Sequence, residues 1–195
     1  FRSNSTTIGT DFLYRNSNFL GWDRTFRTSI WFAKSIDDNR SSSGRNHGYG
    51  VKLEYPNDKI NWLLGYEELQ EDYNPRLGFV NRNDIRHTFY SARYRTRPKS
   101  GPFRTIDNEL FGQVFFDSGN ELQTVNLRVI PVEFTTPLGD GFDIRYRIQY
   151  EDVRPTDRPI PNFAVPVGSY HFNSIGARAF TSRNRPIRVE AEVWW

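Results

Sequence analysis

Three histidines, His47, His87 and His171, are the only imidazoles in the chain, and each lies on a different segment. Common metal sites set their ligands a few residues apart, on one helix face or in Cys–His sets. No such spacing occurs here, and there is no cysteine. Zinc fingers, thiolate nucleophiles, disulfides and iron–sulfur ligation are thereby excluded. Glycosidase chemistry needs two carboxyl groups converging on one bond. Glu67 and Glu68 are chain neighbours, and neighbours in an extended chain point to opposite faces. Glu190 and Glu192 share a face, but they share it with Arg188, which reads as ion pairing. Asp37-Asp38-Asn39 and the stretch from Asp152 to Asp157 offer oxygen ligands of the calcium type. Solvated loop charge is the commoner reading of such stretches. Ser41-Ser42-Ser43-Gly44 lacks the G-x-S-x-G elbow of a serine hydrolase. No catalytic constellation emerges, so the expectation is a protein without enzymatic activity, metal or cofactor.

The elements that would position any site are strands. No stretch keeps an apolar i, i+3, i+4, i+7 pattern for three turns, whereas period two recurs. In 142–151, Phe142, Ile144, Tyr146, Ile148 and Tyr150 alternate with Asp143, Arg145, Arg147, Gln149 and Glu151. In 187–195, Ile187, Val189, Ala191, Val193 and Trp195 alternate with Arg188, Glu190, Glu192 and Trp194. Segments 48–55 and 60–67 repeat the scheme. Weaker strands are expected at 5–15, 22–35, 85–96, 103–116, 121–135 and 169–182, where parity slips near Ser174 as at a bulge. The total is about ten strands in a single domain spanning 1–195.

Composition narrows the setting. Net charge is only +3, from 22 Arg and 4 Lys against 23 acids, with the arginines spread along the chain. A nucleic-acid binder concentrates its basic residues in a patch, so no nucleic-acid partner is expected. Mean hydropathy is −0.71, and no apolar run is long enough for a membrane helix. A membrane barrel escapes that test, because its strands alternate. Strand lengths of about ten residues or more suit a tilted crossing of a bilayer and exceed the usual soluble strand. Aromatics make up 16% of the chain, and many sit near strand ends, as at a headgroup boundary. Links 36–46, 70–84 and 152–168 are long, while 16–21, 56–58, 97–102, 136–141 and 183–186 are short; only 117–120 breaks the alternation. Long loops on one rim and tight turns on the other are the habit of outer-membrane barrels.

The expectation is therefore an all-β, antiparallel, up-and-down transmembrane β-barrel in the cell outer membrane, with membrane lipid as its partner. Asp143, Arg145, Arg147, Glu151, Arg188, Glu190 and Glu192 form its lumen-facing ionic ladder. The alternative is a soluble secreted β-sheet module that binds carbohydrate through surface aromatics, with the ionic stripe in water. In the 70–84 loop, Pro75, Leu77, Phe79 and Val80 are apolar residues among polar ones. They are expected to pack as a plug or mouth loop, or as a turn on the rim.

Tyr55-Pro56-Asn57-Asp58, the run Asn74-Pro75-Arg76-Leu77-Gly78-Phe79-Val80-Asn81-Arg82-Asn83-Asp84, Arg95-Thr96-Arg97-Pro98 and Ile8-Gly9-Thr10-Asp11-Phe12 resemble segments of a gram-negative family of unknown function. Its members join an N-terminal domain similar to a family 9 carbohydrate-binding module to a large C-terminal outer-membrane barrel. The resemblance covers most of this chain and falls within the barrel part. It implies that the chain is an internal piece of a larger barrel, linked to carbohydrate through a domain outside this sequence and to other outer-membrane or surface proteins. It carries no enzymatic activity over to any residue here.

Overall fold

The computed structural model describes residues 5–37, 44–75, 80, 82–154 and 165–195. Ten strands follow one another: β1 (Ser5–Asn16), β2 (Phe26–Asp37), β3 (His47–Pro56), β4 (Ile60–Leu69), β5 (Ile85–Thr96), β6 (Thr105–Phe116), β7 (Leu122–Thr135), β8 (Gly141–Val153), β9 (Gly168–Phe180) and β10 (Glu190–Trp194). They form one antiparallel up-and-down sheet in the order β1 to β10. Among the described residues β1 and β10 are its two edges, and no pairing between them closes it. Among the described residues the only helical piece is a 3-10 turn at Phe19–Gly21, broken by Leu20 at φ 57°.

That turn shifts one boundary. Leu20, Gly21 and Asp23 all take positive φ, so the chain cannot extend at Trp22 and β2 begins at Phe26 rather than at 22. The β1–β2 link, residues 17–25, is then as long as the β2–β3 link, residues 38–46. The last link, 181–189, is equally long. The contrast between rims is correspondingly weaker than the sequence implies and rests on 70–84 and 154–167 against 57–59 and 136–140.

By internal contacts the chain divides into two compact units. The first comprises Phe1–Pro56, Leu63–Phe89 and Val114–Leu122; the second comprises Asn57–Trp62, Tyr90–Gln113 and Gln123–Trp195. In the first unit, the β1–β2–β3 register places Asp11, Trp31 and Gly50 on one face and Phe12, Ile30 and Val51 on the other. Trp31 lies flat across Gly48 and Gly50; a Cβ at Gly50 would come within 2.5 Å of its indole nitrogen. Glycine there makes room for the ring. On the opposite face Phe12, Ile30, Phe32 and Val51 are exposed.

In the second unit β8 pairs with both β7 and β9. The β8–β9 register runs unbroken from Gly141↔Phe180 to Val153↔Gly168. The bulge expected near Ser174 is therefore absent. Tyr170 and Phe172 stand on the same face as Arg178, which produced the false phase slip. A bulge does occur in β7, where the register shifts between Val129 and Val132. Pro131 has no N–H to give a ladder, and bulges are where strands accept proline.

Burial is inverted relative to a soluble sheet. Among the described residues the buried apolar ones are Tyr73, Ile85 and Ile130, whereas Ser35, Asn46, Thr105, Asp107, Asp117, Gln123, Asp143, Arg145 and Ser182 are buried polar ones.

Candidate functional site

β8 shows the inversion one residue at a time. Its apolar stripe is exposed, with Phe142 at 41%, Ile144 at 36% and Tyr146 at 40%. Its ionic stripe is not, with Asp143 at 0% and Arg145 at 8%. A buried carboxylate persists only if paired and hydrogen-bonded. Asp143 meets that condition three times. Arg145 donates from Nε at 2.5 Å and from a terminal nitrogen at 3.0 Å, and Arg178 donates from Nε at 2.8 Å. Register explains the third bond, since Arg178 is the cross-strand partner of Asp143.

The pairing spreads outward. Arg145 reaches Glu192 at 3.0 Å, and Arg178 reaches Glu133 at 3.4 Å and Glu190 at 3.5 Å. Glu190 also takes Arg188 at 2.8 Å. Thus Asp143, Arg145, Arg188, Glu190 and Glu192 belong to one network. Arg178 and Glu133 are not among the residues the sequence points to; they enter through the pairing of β9 and β7 with β8. Arg147 and Glu151 lie further along β8 and outside these pairs. Arg147 stacks on Trp194, with its guanidinium 4.2 Å from the ring centre. A second buried pair stands beside the network on β5 and β6. There Arg95 grips Asp107, itself 2% exposed, with two bonds of 2.8 and 2.7 Å.

Beyond these pairs lies a concavity of about 520 Å³, lined by Phe111, Gln113, Asn126, Arg128, Arg147 and Gln149 among others. Arg128 stacks on Phe111 at 4.6 Å.

The first unit carries an aromatic row at its loop end. Phe32, His47, Tyr49 and Tyr66 follow one another with ring centres 5.6, 6.2 and 6.4 Å apart. Tyr49 and Tyr66 both donate their hydroxyls to Glu68, at 2.7 and 3.0 Å, and Arg86 approaches the same carboxylate at 3.5 Å. Glu67 turns the other way and meets His87 Nδ1 at 2.8 Å. Adjacent carboxylates therefore serve separate partners, as strand parity requires. His171 belongs to the second unit, where it packs against Tyr150.

Loop residues give a partial view of the mouth. Pro75 and Val80 are half-buried, and Leu77 and Phe79 lie outside the described residues. Tyr73, just before them, is buried, and burial raises its phenol pKa. Asn83 donates to the Tyr73 carbonyl at 2.7 Å, and the Asn74 N–H bonds to Ser35 Oγ at 2.9 Å. Of the calcium-type stretches, Asp38, Asn39 and Asp157 lie outside the described residues, as do Ser41 to Ser43. Among the described residues no group of three or more His, Asp or Glu is arranged to hold a metal ion. At the turn end, Asp140 accepts from Arg185 and from the Ser182 N–H, which together hold its carboxyl down at about 2.

Comparison with protein-family models, curated proteins and solved structures found no match. The functional reading therefore stands on geometry and sequence.

Proposed function

We propose that this chain forms part of the wall of a bacterial outer-membrane β-barrel, a membrane-spanning conduit or surface platform whose apolar stripes face lipid and whose ionic stripes face an aqueous bore. One observation carries the reading. On β8 the charged residues Asp143 and Arg145 are buried while Phe142, Ile144 and Tyr146 between them are open. A soluble carbohydrate-binding sheet would do the reverse, because its ionic stripe needs no partner in water. In each unit large apolar side chains are exposed at outward-parity positions, Phe12, Ile30 and Val51 in the first and Phe142, Ile144, Tyr146, Ile175 and Val193 in the second, as lipid-facing stripes require.

Two further features fit a bilayer. β1 to β9 run from 10 to 14 residues, enough to cross hydrocarbon at a tilt. The Phe32–His47–Tyr49–Tyr66 row pairs rings with hydroxyls turned to a carboxylate, the arrangement favoured at headgroup level. The edges of β1 and β10 would be very costly in lipid, and in a barrel they pair with each other or with other strands. This agrees with the resemblance to a larger barrel joined to a carbohydrate-binding-like domain, and makes lipid, surface proteins and glycans the expected partners.

The absence of cysteine allows a clean test. Single cysteines placed at 142 to 148 are spin-labelled in the protein reconstituted in vesicles. Labels at 142, 144, 146 and 148 should collide with dissolved oxygen and those at 145 and 147 with a water-soluble nickel chelate. The opposite phase rejects the barrel.

A further inference from the structure

We infer that the concavity around Arg128 and Arg147 is a binding site for a polyhydroxylated anion, an acidic sugar of the uronate class. The inference rests on the barrel reading only for where the solute comes from. The site itself is built wholly within the second unit.

Arg128 and Arg147 face each other directly across the β7–β8 ladder, and Asn126 and Gln149 face each other on the next rung of the same face. Like charges placed opposite one another destabilise a sheet unless something lies between or beside them. Their neighbours on this face, Arg145 on β8 and Arg178 on β9, are matched. Arg145 and Arg178 share Asp143, Glu133, Glu190 and Glu192. Arg128 and Arg147 instead lie over the rings of Phe111 and Trp194, with the guanidinium carbons 4.6 and 4.2 Å from the ring centres. A ring contact takes up no N–H donor, so these groups can still meet an anion.

Among the described residues no carboxylate pairs with either guanidinium, and Arg128 Nε is buried without an acceptor. Glu109 acts on Arg128, but it acts more strongly on Arg93. The side chains of Gln113, Asn126 and Gln149 also have no hydrogen-bond partner among the described residues. A cavity thus collects two guanidiniums held in no ion pair and three amides, each amide with donors and an acceptor. Guanidinium forks recognise a carboxylate or phosphate. Amides match hydroxyls, and the volume of about 520 Å³ lies in the range of small-ligand sites.

The test is calorimetric titration of the detergent-solubilised protein with glucuronate, glucose and inorganic phosphate. Glucuronate should bind, glucose about tenfold or more weakly, and Arg128→Gln with Arg147→Gln should weaken glucuronate by a similar factor. Arg147→Lys, which keeps the charge but loses the fork, should also weaken it. Competition on the unaltered protein needs no variant: glucuronate bound at this site should be displaced by phosphate and not by glucose. Equal binding of glucuronate and glucose, no binding, or undiminished binding in the double variant would overturn the site. Phosphate binding as tightly as glucuronate would reduce it to a bare anion site and overturn the saccharide assignment. A lipid-facing label pattern without glucuronate binding sinks the site and leaves the barrel. A reversed pattern with glucuronate binding sinks the barrel and leaves the site.

Discussion

Trp194 lies across Gly176, its cross-strand partner, so closely that a Cβ on that glycine would come within 2.7 Å of the indole. The bare backbone of β9 lets a ring from β10 lean over it and reach Arg147 on β8. The same ring donates its N–H to Glu192 at 2.7 Å, so one side chain fixes an arginine of the cavity and a carboxylate of the ionic network. Gly176→Ala should therefore displace the indole and cost about 1–3 kcal/mol, the usual range for overpacking. In a Trp194→Ala background the same change should be nearly neutral. Urea unfolding of the four proteins in vesicles measures both, and additive costs would show that the two residues do not act through contact.

Asp143 is the keystone of the network because it is the fully buried member and serves two arginines. Asp143→Asn leaves Arg145 and Arg178 without their shared carboxylate, and removing one partner of a buried ion pair costs about 3–5 kcal/mol. Glu190 sits on the exposed edge strand, where pairs contribute about 0–1 kcal/mol. Glu190→Gln should be nearly silent in the same unfolding assay. Equal losses at the two positions would show that burial does not rank these pairs.

How much of this was legible beforehand depended on whether phase or register carried it. The alternation of Phe142 to Glu151 set which residues of β8 share a face, and hairpin connectivity set the strand order. Which charges meet is a matter of register. Asp143 faces Arg178 through the β8–β9 register and Glu133 through the β7–β8 register beyond the bulge, so Arg178 and Glu133 stayed invisible as site residues. The bulge was hidden because Val129, Ile130 and Val132 are all apolar, which erases phase; Pro131 inside a strand was the one signal. At Tyr170 and Phe172 the error ran the other way, as aromatics on the ionic face imitated a slip. Arg128, Asn126, Gln113 and Gln149 come from three strands, and no local pattern announces a cavity assembled across a sheet.

The lipid-facing reading of Ile144 has an energetic consequence that solubility alone does not test. Arginine on the outer face of a membrane barrel costs about 2–4 kcal/mol near the bilayer midplane. On the solvated face of a soluble sheet, a surface substitution stays within about 0.5 kcal/mol. Ile144→Arg and Ile148→Arg, each measured by reversible unfolding from vesicles, should fall in the first range. Two near-zero results would mean that these exposed side chains face water.

Acid should loosen the turn end of the second unit. Asp140 accepts from Arg185 Nε at 2.8 Å and a terminal nitrogen at 2.5 Å, and from the Ser182 backbone at 2.9 Å. These bonds lower its pKa from 3.8 to about 2. A carboxyl depressed on folding contributes stability that is fully present above its unfolded value and is lost as pH falls through its folded one. The link between β9 and β10 should therefore loosen between about pH 4 and pH 2. Asp140→Asn should lack that step and resemble the acidified protein at neutral pH. Amide hydrogen exchange at Ser182 and Arg185, followed from pH 5 down to pH 2 after correction for intrinsic rates, reads the step directly; an unchanged protection profile across that window would rule out Asp140 as its source.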